Sequence, residues 1–375
     1  MKRKLIPLMA LSLFGVLATS CGGQNYTNTK DGVFDLKTAL ADGELAYGIL
    51  VGEDGNPEAI DRTKGCVEAM NAIAAEGKFT AKELERKTCI NETSSWNDQV
   101  AKETVEGWTK KYGQRLDFII SNNDGMAVAA ANSQGLTTKL PIVGFDALSS
   151  ACDMVKSGKL AGSVSQNGDD QALTTLTVLG NLIKGETDVT KGYAGKAELD
   201  KGSIDKHIIQ TKLSAVTAGN ADSFKPGAYV NVNEDSALKG KKILVAYYSQ
   251  NDNFISETFM KALPHYAEKL GFSVTEVSVT TGEDADLLNQ VKTAAQKDKF
   301  DAFALNIITH ANYEKYLEVA AGAPTVFFNR QPKKSDDSGV ADLSAKEKVY
   351  FVGSSSVGQG AVQGKVITDW YNANK

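Results

Sequence analysis

Short apolar runs separated by amphipathic stretches recur along this 375-residue chain. In the first half, Leu45–Val51, Phe118–Ile120 and Ile142–Phe145 are apolar and bounded by polar residues or Gly. That pattern predicts parallel strands buried on both faces. Between them, Cys66, Ala69, Met70 and Ile73 share one helical face, and Ala101, Val105 and Trp108 share another. The second half repeats the grammar, with strands expected at Ile243–Tyr248, Ala302–Ile307, Thr325–Phe328 and Val349–Val352. A helical stripe of Phe259, Leu263, Tyr266 and Leu270 accompanies them. Pro264 lies inside that stripe and is expected to kink the helix or delay its start. Strands alternating with helices predict an α/β architecture of parallel sheets with helices on both faces.

Residues 185–240 depart from this pattern, being rich in Gly, Lys and Asp, with one strand-like piece at His207–Leu213. The loose stretch from Thr217 to Gly240 reads as a joint between two halves. A long irregular connection inside a compact protein calls for an explanation. At the amino end, three cations in Met1–Lys4 precede an apolar run from Leu5 to Ala18, and Leu17-Ala18-Thr19-Ser20 leads into Cys21. This predicts a signal peptide over 1–20 and a lipidated tether over 21–35, diacylated at Cys21. The apolar run is shorter than the ~20 residues that span a bilayer, which favours a cleaved signal over an anchor helix. Leu17 stands one position further from the cysteine than bacterial lipoboxes usually place it.

Charge and cysteine content narrow the class. The formal net charge is −5, and −8 without Lys2, Arg3 and Lys4, which argues against a nucleic-acid partner. About 350 mature residues exceed what one core usually supports, so two domains are expected. Cys66, Cys89 and Cys152 are odd in number and lack CxxC spacing, so no metal site is expected, and one disulfide plus a free thiol stays open. His207, His265 and His310 are scattered.

Polar side chains gather where the strands end. Asp252-Asn253-Phe254 follows ILVAYYSQN, and Asn329 ends TVFFN. In the first half, GEDGNPEAIDR (52–62) follows Leu45–Val51, Asn122-Asn123-Asp124 follows Phe118–Ile120, Asp146 ends PIVGFDAL, and Gln166 follows LAGSVS. Open parallel sheets bind ligands outside the carboxyl ends of their strands.

Placed in the order 241–375 and then 36–230, these segments resemble the periplasmic galactose/glucose-binding proteins, type I periplasmic binding proteins that serve bacterial ABC sugar importers. The layout is similar to the circularly permuted glucose-binding lipoprotein form found in spirochaetes. The resemblance implies a two-lobe Venus-flytrap fold in permuted order. Its first lobe takes 36–166 plus 205–216, its second 168–204 plus 241–375, and 217–240 is the hinge linker. The chain is then expected to cross between lobes near 167, near 204 and within 217–240.

The resemblance also assigns a site. Trp96 and Phe254 match the stacking aromatics, Asp252 and Asp146 the carboxylates, Asn329, Asn123 and Gln166 the amides, and Arg62 a donor on the helix after the GEDG loop. Asn56 and Glu58 stand where the family carries His and Asp, and Gln166 where it usually has Asn, which leaves glucose against galactose open. No run of Asp and Asn matching the family's calcium loop precedes Asp42-Gly43, so no calcium is expected. A pyranose needs such a set, because its hydroxyls donate and accept while its faces are apolar. The same residues also have plain structural uses. Asp146 could cap a helix, Trp96 and Phe254 could be core aromatics, Asn123 a turn residue, Arg62 a surface ion pair, and Asp252 part of a solvated loop.

The implied function is a lipid-anchored periplasmic receptor, without cofactor, delivering a hexose, D-glucose and/or D-galactose, to an ABC permease. A chemoreceptor is a further candidate partner. The alternatives are another small ligand such as a pentose, nucleoside or signalling furanose, and a sugar-active enzyme using paired carboxylates. No nucleophile or metal cluster favours the enzyme. A transcription regulator of similar fold would need a helix-turn-helix where the signal peptide lies.

Overall fold

The structure is a computed structural model and describes residues 26–92, 94–133, 139–336, 339–355 and 358–375. The signal peptide and Cys21 lie outside the described residues. A small hairpin (β1, Thr29–Lys30; β2, Val33–Phe34) and one helical turn (α1, Leu36–Ala39) lead into the first lobe. There β3 (Glu44–Val51), α2 (Pro57–Gly77), β4 (Thr80–Thr88), α3 (Asp98–Tyr112), β5 (Phe118–Ser121), α4 (Asp124–Ala131), β6 (Ile142–Val143), α5 (Ser149–Lys156) and β7 (Ser163–Ser165) follow in turn. The parallel sheet runs β4-β3-β5-β6. Hydrogen bonds from Gly144 N–H to the Gly162 carbonyl (3.0 Å) and from Asp146 N–H to that of Val164 (2.7 Å) extend it to β7. β3 and β5 are apolar and buried on both faces, as the runs predict, because helices cover both sides.

After β7 the chain enters the second lobe with α6 (Gly168–Lys184), β8 (Leu199–Asp200) and β9 (Ile208–Thr211). It returns to the first lobe for β10 (Ser214–Val216), which pairs antiparallel with β7, and for α7 (Ala221–Phe224). It then goes back to the second lobe as β11 (Lys242–Tyr247), α8 (Asn253–Glu257), α9 (Phe259–Leu270), β12 (Ser273–Ser278), α10 (Asp284–Lys297), β13 (Ala302–Leu305), α11 (Tyr313–Ala320), β14 (Thr325–Phe328) and β15 (Val349–Ser354). That sheet runs β12-β11-β13-β14-β15-β9-β8, parallel except for β8.

Three expectations need correction. The strand-like piece at 207–213 divides: β9 pairs with β15 in the second lobe and β10 with β7 in the first. The crossing expected near 204 therefore falls at Lys212-Leu213, and 205–216 is not one first-lobe segment. Second, 241–375 does not lie wholly in the second lobe, because α12 (Gln359–Asn374) packs along α2 in the first. Its Val366, Ile367 and Tyr371 enter the core beneath β3 and β5. Gly65, Gly360 and Gly364 let the two helices touch backbone to backbone, where any Cβ would collide. A further crossing thus lies between Ser354 and Gln359. Third, α9 is not delayed by Pro264: it starts at Phe259, the head of the predicted stripe, and continues through Pro264 to Leu270. The helical run is interrupted at Thr258 (φ −107°, ψ −83°), upstream of it.

Among the described residues Cys66, Cys89 and Cys152 are buried and free of disulfides. Among the described residues no group of His, Cys, Asp or Glu gathers to hold a metal ion.

Candidate functional site

The second lobe's wall of the cleft is built where β11 and β14 end. Asp252 N-caps α8, one carboxylate oxygen accepting from Ile255 N–H (2.9 Å) and the other from the Tyr248 hydroxyl. So fixed, α8 presents Phe254, which is 8% exposed and packs edge-on against Phe259. Past β14, Asn329 adopts a left-handed conformation (φ 60°). Its amide N–H donates to the Val352 carbonyl (2.9 Å), and its side-chain oxygen accepts from Asn306 Nδ2 (3.2 Å). The Arg330 guanidinium lies 4.2 Å above the Tyr248 ring, a cation–π contact that closes the outer edge.

The first lobe's wall starts at the N-terminus of α2. Asn56 is its N-cap, accepting from the amides of Glu58 (2.9 Å) and Ala59 (3.2 Å), while its Nδ2 donates to Glu53 (3.2 Å). One turn on, Arg62 is only 2% exposed. It donates through Nε to Gln359 Oε1 and through Nη1 to the Asn122 carbonyl, both at 2.7 Å, and reaches Glu58 at 3.4 Å. Its planar head lies 3.7 Å from the Phe145 ring centroid and 5.5 Å from that of Trp96. Trp96, after β4, holds a left-handed conformation (φ 56°) with its N–H on the Gly52 carbonyl (2.9 Å). Asn123 caps α4 through Met126 N–H (3.0 Å). Asp146 is buried, also at positive φ (117°), and accepts from Gln166 Nε2 (2.7 Å). Gln166 Oε1 in turn accepts from Ser354 Oγ (2.7 Å), linking the lobes beside the crossing.

These walls enclose a cavity of about 140 Å³ lined by all ten residues singled out in the sequence: Asn56, Glu58, Arg62, Trp96, Asn123, Asp146, Gln166, Asp252, Phe254 and Asn329. At ~10–15 Å³ per water molecule by the same measure, such a cavity holds on the order of a dozen non-hydrogen atoms. As expected, Asp252, Phe254 and Asn329 come from the second lobe and Arg62, Trp96, Asn123 and Asp146 from the first. Of the plain structural uses, the core role holds for Phe254 and in part for Trp96. Asn123 and Asp252 are helix caps rather than turn or loop residues, as is Asn56, and Arg62 is a buried hub rather than a surface ion pair. Asp146 caps nothing, since α5 starts after Leu148 without a side-chain cap.

Tyr248, His310, Arg330, Gln331, Lys333, Val340, Phe351 and Ser354 also line the cavity. The sequence carries one signal for them: Tyr248 and Arg330 directly adjoin recognised strand ends. Gln359, which orients Arg62, has none, being 297 residues away in the chain.

Burial pushes the Asp146 carboxyl well above the usual carboxylate range, against the pull of Arg62, whose Nη1 stands 4.0 Å away. Burial, and secondarily Asp252, likewise raises the Tyr248 phenol. The lobes also meet at the cleft mouth, where Asn253 Nδ2 donates to Asp98 (3.2 Å) and Ser149 N–H to Glu257 (2.9 Å). A small polar ligand here meets hydrogen-bonding groups from both lobes and two aromatic surfaces, which suits binding rather than bond-breaking.

Residues 22–187 match the sequence family described as periplasmic binding protein domain. The chain is similar to the D-galactose/methyl-galactoside binding periplasmic protein MglB of Haemophilus influenzae, 33% identical over 49% of this chain and 51% of that protein. It is also similar to a xylitol-binding protein of Mycolicibacterium smegmatis, 28% identical over 43% of this chain and 45% of the relative. The chain thus spans about half the length of the curated relatives it matches. Among solved structures, a carbohydrate transporter solute binding protein from Agrobacterium radiobacter, in complex with D-arabinose, superposes with a TM-score of 0.50. That match has 12% identity and covers 88% of this chain and 90% of the other, so it speaks to fold alone. A periplasmic binding protein domain is thus matched over residues 22–187, and the two-lobe α/β fold extends over the rest of the described chain.

Proposed function

We propose that this protein binds a hexose, D-glucose and/or D-galactose, between its lobes and delivers it to an ABC permease. In this reading it works in the periplasm as a receptor, not an enzyme, anchored through a lipid on Cys21. One observation carries the reading: the cavity sets Trp96 and Phe254, from opposite lobes, among Asp146, Asp252, Glu58, Arg62 and the amides of Asn56, Asn123, Gln166 and Asn329. Aromatic faces take the C–H surfaces of a sugar ring, and carboxylates and amides take its hydroxyls. Because ligand touches both walls only when the lobes meet, binding favours closure. A chemoreceptor reading the closed form is a second partner in this scheme.

Asn56 spends its carbonyl on the α2 cap, which leaves Glu58 as the freer of the two residues at the variable loop position. Strand order supports the permuted arrangement: β11 to β15, after the joint, fill the core of the second-lobe sheet, while residues before the joint supply the first-lobe sheet and the strands β8 and β9 at one edge of the second. The family match also stops at residue 187, before the joint. The xylitol-binding relative favours a pentose or linear polyol as the second reading.

Titration calorimetry of the soluble form with glucose, galactose, ribose, xylose and xylitol tests this directly. Binding to no hexose overturns the reading. If Asp252→Ala and Asp146→Ala both leave hexose affinity unchanged, the site is misassigned.

A further inference from the structure

Asp146 and Ala147 are consecutive non-glycine residues at positive φ, 117° and 56°. Such backbone persists only where its surroundings over-determine it. The surroundings here converge on Asp124, the first residue of α4, which is fully buried and is not among the residues lining the cavity. Its Oδ2 accepts from Leu148 N–H at 2.9 Å. The Ser163 hydroxyl donates to the same carboxylate (2.8 and 2.9 Å to its two oxygens), and Ser163 Oγ accepts from Ala147 N–H at 3.3 Å. Asp124 N–H donates to the Phe145 carbonyl (2.7 Å), and Asp146 N–H goes to Val164.

The turn 145–148 is therefore tied at four successive residues. Three ties run to Asp124, directly or through Ser163. None uses the Asp146 carboxylate, which stays available to Gln166 and the cavity. Gly144 makes room for the arrangement, since a Cβ there would strike Asp124 Oδ1.

We propose that Asp124 is a positioning residue for ligand binding: through Ser163 and the 145–148 turn it holds the Asp146 carboxylate at the cleft. This rests on the reading of the cleft as a sugar site. An ionised carboxylate accepts from the hydroxyl and the amide in charge-assisted bonds, whereas Asn offers one neutral carbonyl oxygen and sets an NH2 donor against the Ser163 hydroxyl, which weakens the ties.

The test has a ligand-free arm and a ligand arm, on Asp124→Asn and, should that variant fold poorly, Ser163→Ala. In the ligand-free protein, hydrogen exchange at Ala147 and Leu148 is expected to accelerate at least tenfold while the strands of both sheets keep their protection. In calorimetry with glucose and galactose, Kd is expected to weaken about tenfold. In an Asp146→Ala background the same substitution should change Kd less than twofold, because a residue acting through Asp146 has nothing left to position. Unchanged exchange at 147–148, or effects on Kd that add fully to those of Asp146→Ala, overturns the proposal. Should the unsubstituted protein bind no hexose, the functional reading fails, and the exchange arm still decides whether Asp124 holds the turn.

Discussion

The sharpest consequence of the structure concerns Arg62. In sequence it could pass for a surface ion pair with Glu58 one turn earlier, a contact worth at most ~1 kcal/mol. In the fold it is 2% exposed, donates two hydrogen bonds of 2.7 Å to Asn122 and Gln359, and stacks on Phe145. Arg62→Met keeps much of the length but removes the charge. It orphans the Asn122 carbonyl and the Gln359 oxygen, and leaves Asp146 without its neighbouring cation. Removing one member of such a buried network costs ~3–5 kcal/mol. Arg62→Lys keeps the charge but lacks the planar fork that serves two acceptors at once. With one charge-assisted bond lost, it should cost ~1.5–3 kcal/mol. Urea unfolding of the ligand-free protein should therefore rank the original chain above the Lys variant and Lys above Met. A loss below ~1 kcal/mol for Arg62→Met would refute the buried-hub argument, because that is the scale of a solvent-exposed pair.

Three further outcomes are expected. Trp96→Ala and Phe254→Ala should each weaken hexose binding at least about tenfold by calorimetry, ~1.4 kcal/mol, with Phe254→Ala also destabilising the protein because its ring is part of the core. Glu257→Ala removes the acceptor of Ser149 N–H at the cleft mouth. It should raise Kd severalfold and increase the ligand-free radius of gyration in solution scattering, since closure loses a cross-lobe bond. Burial, which outweighs the hydrogen bond from Gly227, raises the Asp169 carboxyl to about 6, and its Oδ1 has no hydrogen-bond partner. A carboxyl raised on folding stabilises most below its unfolded pKa, and that contribution is lost as pH rises through about 6. Asp169→Asn should therefore flatten the fall in urea midpoint between about pH 4 and pH 7 and stabilise the protein by ~1–3 kcal/mol at pH 8. The buried Asp117 and Asp124 carboxyls, raised to about 6 and about 7, leave a residual slope of the same sign.

The chain's own pattern determined the layered α/β fold and the cavity-lining ends of its strands. Both follow from local rules: apolar runs must be buried on two faces, and polar side chains just after a strand project past the sheet edge. The ten residues matched through the family resemblance all lie on the segments that follow those ends, from Gln166 and Asn329 directly after a strand to Arg62 inside the helix after β3. What only the tertiary structure decided is membership across distance. β9 and β10 lie two residues apart, yet they belong to different lobes, because each found a different sheet edge to pair with. α12 follows the last strand of one lobe and packs on the other, since Gly360 and Gly364 fit the surface that α2 offers at Gly65. That placement brings Gln359 to Arg62, just as the Asp146 turn brings Asp124 and Ser163 together from elements 39 residues apart. Local pattern specifies which atoms face the cleft, whereas long-range packing specifies which atoms hold them there.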